Sequence, residues 1–323
     1  MSDRPRRTVL VTGAAGFIGS ALCRRLLDAG HVVVGYDNLT RGRREYLPAG
    51  VRLVEGDIRD AGRLKETVAA LRPDWLVHLA AMHFIPDCIA RPQETLEVNV
   101  EGTRRVLDSC RGSSVQTLTF ASTAAVYAST DRPCVEEVTP LEPLEIYGES
   151  KLAAERLVEA FHGETGMTTD ILRLFNAIGR NETNPHVVPH IFESLQSSDA
   201  IRLGNMTPRR DYIDTRDVAE AIIAVAGSSR GLRVLNVGTG IASSVENIVE
   251  RLRRILGRAI VIEQDPSRLR KAERMLLAAD VEKIRRETNW APKISLDDTL
   301  RDLVALYRLQ RNLAMLLLVL LVR

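Results

Sequence analysis

The sequence predicts an α/β fold, a doubly wound parallel sheet followed by a smaller C-terminal domain. Three observations carry that expectation: β-branched runs alternate with helical patterns, a glycine-rich turn follows the first run, and the rhythm loosens after Phe175. The 323 residues are 45% hydrophobic and carry 44 Lys+Arg against 42 Asp+Glu, enough material for one large or two modest domains with a dry core. A net charge of +2 supplies no basic field for nucleic acid, and 4% aromatic residues are too few for a base-stacking surface. Cys23, Cys88, Cys110 and Cys134 form no C-x-x-C pair, which is the usage of a reducing compartment, so the cytoplasm is expected and a disulfide or zinc framework is not.

In chain order, Thr8–Thr12, Val32–Tyr36, Arg52–Glu55, Trp75–Leu79 and Thr117–Ala121 read as strands. Ile18–Ala29, Ala61–Leu71 and Val98–Cys110 read as the helices between them. A β-α-β-α order of this kind gives a parallel sheet covered on both faces. Val9-Leu10-Val11 is too short for a signal-peptide core. Asp170–Phe175 reads as a further strand, and the Pro- and Asn-bearing stretch from Asn176 to Arg210 opens the smaller domain. Leu235–Val237 is a returning strand, and Ser243-x-x-Glu246 reads as a capping box for a helix that stops near Gly257. The expected division is residues 1–175 with 208–238 returning as the first domain, 176–207 and 239–312 as the second, and 313–323 as an apolar tail. Leu313–Val322 is ten apolar residues, short of the ~17 that a membrane-spanning helix needs, and no chemistry is assigned to it.

The first chemical signal is Gly13-Ala-Ala-Gly16-Phe-Ile-Gly19, directly behind a strand and opening a helix. Glycine serves where backbone turns sharply and approaches a pyrophosphate, and the helix N-terminus offers free N–H groups to that anion. The second strand ends at Asp37, where a carboxylate can accept adenosine ribose hydroxyls. The reading is a Rossmann-type dinucleotide site, with NAD favoured over NADP because Asp37 repels a 2′-phosphate, although Arg41, Arg43 and Arg44 lie just beyond. Asp57 and His78 end the third and fourth strands at the edge where such sheets bind ligands; Asp57 is placed near the adenine and His78 is equally a satisfied core histidine. His186-x-x-x-His190 has metal-like spacing, but Pro189 interrupts the helix and no third ligand is evident, so no metal is expected.

The second signal is Tyr147-Gly-Glu-Ser-Lys151, leading into the helical run Leu152–Phe161. Residues four apart share a helix face, and an ammonium beside a phenol favours the phenolate, so Tyr147 is a candidate base. Upstream, Ser122 and Thr123 end the fifth strand with two adjacent hydroxyls that can meet a reacting oxygen.

Together these residues resemble the extended short-chain dehydrogenase/reductases, in particular the NAD-dependent nucleotide-sugar epimerase/dehydratase family, from about Thr8 to about Leu306. The resemblance implies Thr123, Tyr147 and Lys151 as catalytic residues. It implies a cofactor set of Gly13, Gly16, Phe17, Ile18, Gly19, Asp37, Asn38, Asp57, Ile58, Leu79, Ala80, Ala81, Asn99, Ser122, Tyr147 and Lys151. Asn99 is expected as a cap for neighbouring backbone, and Ser122 as a cofactor-side neighbour. The implied substrate set is His83, Thr123, Asn176, Val187, Arg210 and Arg270, the arginines meeting a diphosphate through guanidinium forks; Arg268 and Arg274 are close enough to substitute for Arg270. Ala124 and Ala125 stand where dehydratases of the family carry acids, so the implied reaction is NAD-dependent inversion of C4 in a nucleotide-linked hexose, UDP first. A reductase or dehydrogenase is the alternative, with a 4,6-dehydratase behind it. The resemblance also implies a homodimer, through helices Val98–Cys110 and Tyr147–Phe161, whose apolar positions are expected to exceed what one sheet face covers.

Overall fold

The structure is a computed structural model that describes residues 6–226, 231–268 and 273–321, without the side chains of residues 197, 267 and 310–321. The first part comprises β1 (Thr8–Thr12), α1 (Phe17–Asp28), β2 (Val32–Asp37), β3 (Arg52–Glu55), α2 (Ala61–Leu71), β4 (Trp75–His78), α3 (Ile85–Ala90), α4 (Pro92–Leu96), α5 (Gly102–Cys110), β5 (Thr117–Thr123), α6 (Ile146–Thr165) and β6 (Thr168–Leu174). Then follow β7 (Asn176–Ile178), α7 (Val187–Ser197), β8 (Ala200–Leu203), β9 (Arg209–Asp214), α8 (Thr215–Val225), β10 (Leu232–Val237), β11 (Ala242–Ser244), α9 (Val245–Leu256), β12 (Val261–Gln264), β13 (Leu276–Leu277), α10 (Glu282–Thr288) and α11 (Leu296–Leu321).

Seven strands form one sheet in the order β10-β6-β5-β4-β1-β2-β3, every pair parallel. The order reverses between β1 and β4, so the connections leave in opposite directions there and a crevice opens at the C-terminal strand ends. β1 shows why the strands read as unbroken apolar runs: Val9 and Val11 pack with Leu22 and Leu26 of α1 and Val218 and Ile222 of α8, while Leu10 packs with Leu64, Val106 and Phe161 on the other face. The smaller domain has β9 at its centre, pairing with β7, β11 and β13, and β8 with β12 beside it. Its own core joins Ile191, Phe192, Ile201, Ile248, Leu252 and Leu300.

The returning strand expected at Leu235–Val237 enters the large sheet as β10 beside β6, while β9 pairs within the small sheet. Other expectations change. The capping box lies one residue on, with Ser244 accepting from Asn247 N and the Asn247 side chain accepting from Ser244 N. The helix expected over Val98–Cys110 starts at Pro92 and passes through a π-helical turn at Glu97–Glu101. On this helix and on α6, Val106, Leu107, Cys110, Ala154, Val158 and Phe161 are buried within one chain, while Val98 and Leu157 are partly buried. α11 continues through the apolar tail to Leu321, whose surroundings lie outside the described residues. Among the described residues no helix is long and apolar enough to cross a membrane.

Between β5, β6 and α6 lies a buried polar network. Arg173 and Glu155, 3% and 1% exposed, form a two-nitrogen pair through Nε and Nη2 at 3.0 and 2.7 Å. Ser122 Oγ donates to the same carboxylate, and Arg173 Nη1 reaches the Tyr127 hydroxyl, which donates to Asn236 Oδ1 at 2.7 Å. Breaking a buried pair leaves an uncompensated charge. Glu155→Ala is therefore expected to cost about 3–5 kcal/mol in urea unfolding, and Glu155→Leu combined with Arg173→Met to recover most of it. A single-mutant loss under about 1 kcal/mol would show that water reaches the pair.

Candidate functional site

At the end of β1 the chain turns through Gly13, whose φ is +72° and whose Cβ, if present, would lie 2.8 Å from Ala80 N. A Cβ on Gly19 would lie 2.0 Å from the Gly13 carbonyl oxygen, so strand and helix meet backbone on backbone. Gly16 caps α1 without a side-chain hydrogen bond, and the first turn carries no acid. The helix thus presents unpaired amides and its positive dipole end, a fit for a pyrophosphate. Asp37 ends β2 beside this turn, its carboxylate accepting from Ala15 N at 2.9 Å and Leu39 N at 2.8 Å. Burial raises its pKa, while the Leu39 and Ala15 amides pull the other way. Asp57 is clasped by Arg59 and Asn38, and the Arg59 guanidinium holds its carboxyl well below the usual range.

β5 and the first turn of α6 supply the second cluster. The Thr123 hydroxyl hydrogen-bonds the Tyr147 phenol, and Lys151, one turn after Tyr147, is 3% exposed with Nζ 4.0 Å from the centre of the Phe120 ring. The electrostatics differ from the sequence expectation. Burial pushes the Tyr147 phenol up to about 12, against the Thr123 hydrogen bond, and pushes Lys151 down to about 7, against the Glu155 charge. Burial acts on both groups in the same direction, toward the neutral phenol and the neutral amine, and the ammonium rests on an aromatic face.

Both clusters line one cavity of about 1240 Å³, larger than the ~300–1,000 Å³ of a single small-molecule pocket. Its wall includes Gly13, Gly16, Phe17, Ile18, Gly19, Asp37, Asn38, Asp57 and Ile58 at one end, with Leu79, Ala80, Ala81 and Ser122 along the floor. Thr123, Tyr147 and Lys151 stand in the middle, and His83, Asn176, Val187 and Arg210 at the far end. Arg210 lies on β9, its Nη1 donating to the Arg274 carbonyl at 2.7 Å. Arg268 and Arg274 both line the cavity; Arg274 is 6% exposed and donates from Nη2 to the Ala125 and Tyr127 carbonyls. Arg270 lies outside the described residues.

Two expected residues stand behind the wall. Asn99 is 1% exposed and its amide is committed to Met82 N, Met82 O and Ser150 Oγ, so it braces the loop after β4 as a cap and meets no ligand space. His78 is held by Thr12 and Thr103 at 2.7 and 3.1 Å and pushed down to about 3 by burial, the satisfied core histidine. The three arginines after Asp37 are each ion-paired, Arg41 with Asp87, Arg43 with Glu45 and Arg44 with Glu55. All four cysteines are free and buried.

The chain matches the NAD dependent epimerase/dehydratase family over residues 9–238. That match covers more than half of its length. The chain belongs to this family. It is 32% identical over 302 residues to the UDP-glucose 4-epimerase of Corynebacterium glutamicum, covering 88% of this chain and 91% of that protein. The Thermus thermophilus UDP-glucose 4-epimerase in complex with NAD superposes with a TM-score of 0.86 at 30% identity, over 93% of this chain and 99% of its own. The Thermotoga maritima UDP-glucose 4-epimerase with UDP-glucose gives 0.87 at 26% identity, over 94% and 99%.

Sequence reasoning missed several wall residues. Glu145, directly before α6, lies 3.7 Å from Arg274 Nη1. Glu182, Asn184 and His186 gather around His83, and Glu182 and His186 line the cavity. No spacing rule links residue 83 to residues 182–186, so neither a motif nor a period marks that grouping.

Lys151 gives a pH test. Its pKa of about 7 in the fold lies below the ~10.4 of an unfolded lysine. Between those values the unfolded chain binds one more proton, so this residue's contribution to stability rises with pH, at up to about 1.4 kcal/mol per unit. Lys151→Met is expected to be most stabilised relative to wild type below pH 7 and to lose that advantage as pH climbs toward 10. A pH-independent difference in urea midpoints would place the ammonium in water.

Proposed function

We propose that this chain is an NAD-dependent isomerase that inverts C4 of a nucleotide-linked hexose, with a UDP-sugar as substrate. The observation that carries the reading is one cavity that holds a dinucleotide-type helix N-terminus at one end, Thr123, Tyr147 and Lys151 in the middle, and Arg210 and Arg268 at the other. Two nucleotides then face each other across the hydroxyl cluster. The UDP-glucose 4-epimerase relatives support the choice of sugar nucleotide.

Bound NAD supplies a reversible hydride acceptor at C4. Tyr147 takes the proton of the sugar 4-hydroxyl and returns it to the same oxygen once C4 is inverted, and Thr123 positions that oxygen through its own hydroxyl. Lys151 orients the cofactor ribose and, in its protonated form, favours the phenolate of Tyr147. Asp37 accepts the adenosine ribose hydroxyls, and Arg210 and Asn176 hold the diphosphate of the substrate. A sugar turning over between its two faces needs room and fixed phosphates, which the wide middle and the cationic far end provide. Ala124 and Ala125 leave the position after Thr123 without an acid, which favours epimerisation over dehydration. We place the chain in the cytoplasm on its free cysteines. We propose a homodimer through the helices of Val98–Cys110 and Tyr147–Phe161, beside which Leu96 on α4 is 41% exposed.

The reading is tested by incubating a panel of nucleotide sugars with the protein and no added cofactor; a C4 epimer of a UDP-hexose is the expected product, and a net oxidised or dehydrated sugar would overturn it. Tyr147→Phe is expected to retain bound NAD yet lose about two or more orders of magnitude in turnover. Activity within a few-fold of wild type would remove Tyr147 from the chemistry. Asp37→Ala should weaken NAD about ten- to a hundred-fold and narrow the NAD/NADP preference, measured calorimetrically on stripped protein; an unchanged ratio would place the carboxylate away from the ribose.

A further inference from the structure

The motif His186-x-x-x-His190 does not form a pair in the fold. His190 Nε2 is engaged with the Arg202 carbonyl at 3.1 Å. Pro189 sits in the first turn of α7, where a missing N–H costs nothing, so His186 becomes the residue that caps the helix and faces the cavity. There it meets two side chains from elsewhere. His83 comes from the loop after β4, and Glu182 from the segment between β7 and α7. One donor atom from each of His83, Glu182 and His186 lies within 4.8 Å of the other two. The two imidazoles stack at 6.0 Å between centres, and Phe84 packs its edge against His186 at 5.3 Å.

From this grouping we infer that His83, Glu182 and His186 form a binding site for a divalent transition-metal ion at the sugar end of the cavity. Two imidazoles and a carboxylate are the donor set such ions take, and three protein ligands leave coordination positions open toward a substrate. The surroundings match what ligating residues need. His83 Nε2 lies 3.1 Å from Asn184 Nδ2, and burial lowers the pKa of the ring. Glu182 accepts from Asn184 N at 2.9 Å, which fixes its carboxylate. Asn184 Nδ2 stands between His83 Nε2 and Glu182 Oε1 at 3.1 and 3.4 Å, so a cation joining those two atoms takes the place of this amide. Asn184 is 2% exposed and its Oδ1 is buried without a hydrogen-bond partner, an orphaned polar atom beside the three side chains. Neighbouring hydroxyls or a carboxylate on a bound sugar would fill the open positions, a consequence that rests on the proposed substrate.

The test measures metal directly, apart from turnover. The purified protein with its cofactor is titrated with Zn²⁺ by calorimetry and with Co²⁺ by visible absorption, without sugar nucleotide. One Zn²⁺ per chain and a Co²⁺ spectrum of low coordination number are expected. His186→Gln, at an exposed side chain that the fold tolerates, and Glu182→Gln should each weaken binding at least about tenfold, and His190→Ala should leave it unchanged. Absence of a one-to-one Zn²⁺ isotherm in wild type would overturn the inference, as would binding that survives His186→Gln and Glu182→Gln or is lost in His190→Ala. Failure of the sugar panel with Zn²⁺ binding intact would refute the proposed reaction and leave the site standing.

Discussion

The Glu155 carboxylate is the contact on which the geometry of the site rests. It takes the Ser122 hydroxyl from β5 and two nitrogens of Arg173 from β6, and it belongs to α6. Ser122 and Arg173 are direct partners in the β5–β6 register, so a one-residue slip would move a buried guanidinium to the opposite sheet face. The cost of an uncompensated charge in a dry gap therefore locks two strands and a helix together. Thr123 follows Ser122 and Lys151 precedes Glu155 by one turn, so both inherit their positions from that lock.

Desolvation is the second organising constraint. The loop after β4 and the small domain cover the C-terminal edge of the sheet, and the groups beneath them shift toward their neutral forms: Tyr147 upward, Lys151, His78 and His83 downward. Hydrogen-bond donors stand at the ends of the cavity, the amides of α1 on one side and, on the other, Arg210 and Arg268, paired with Glu273 and Asp265. In the proposed reaction a phosphate at either end would meet a donor, and a proton in the middle would move between groups whose charged and neutral forms are brought closer in energy by their surroundings.

The π-helical turn at Glu97–Glu101 serves the site from a distance. It sits where Asn99 must reach both Met82 and Ser150, and one extra residue in the turn re-aims that side chain without ending the helix. The loop it braces carries His83 into the cavity. A helix with an unbroken ladder from Pro92 to Cys110 would place Asn99 at a different angle to α6.

What the sequence determined by itself was local. Gly13, Gly16 and Gly19 lie within one turn of backbone, Tyr147 and Lys151 within one turn of helix, and Asp37 at the end of a strand whose apolar run is unmistakable; each is decided by spacing, because helix and strand periods repeat wherever they occur. The parallel order of the large sheet followed from the same alternation. What only the tertiary structure decided were meetings across long stretches of chain: His83 with Asn184, 101 residues apart, Arg173 with Glu155 and Tyr127, and Tyr127 with Asn236, 109 apart. The same holds for the choice of Ser244 over Ser243 as cap, and for the turn of His190 away from His186 toward β8. Such contacts depend on where the chain crosses between layers and on which face a buried group can find a partner, and no period in the sequence encodes that.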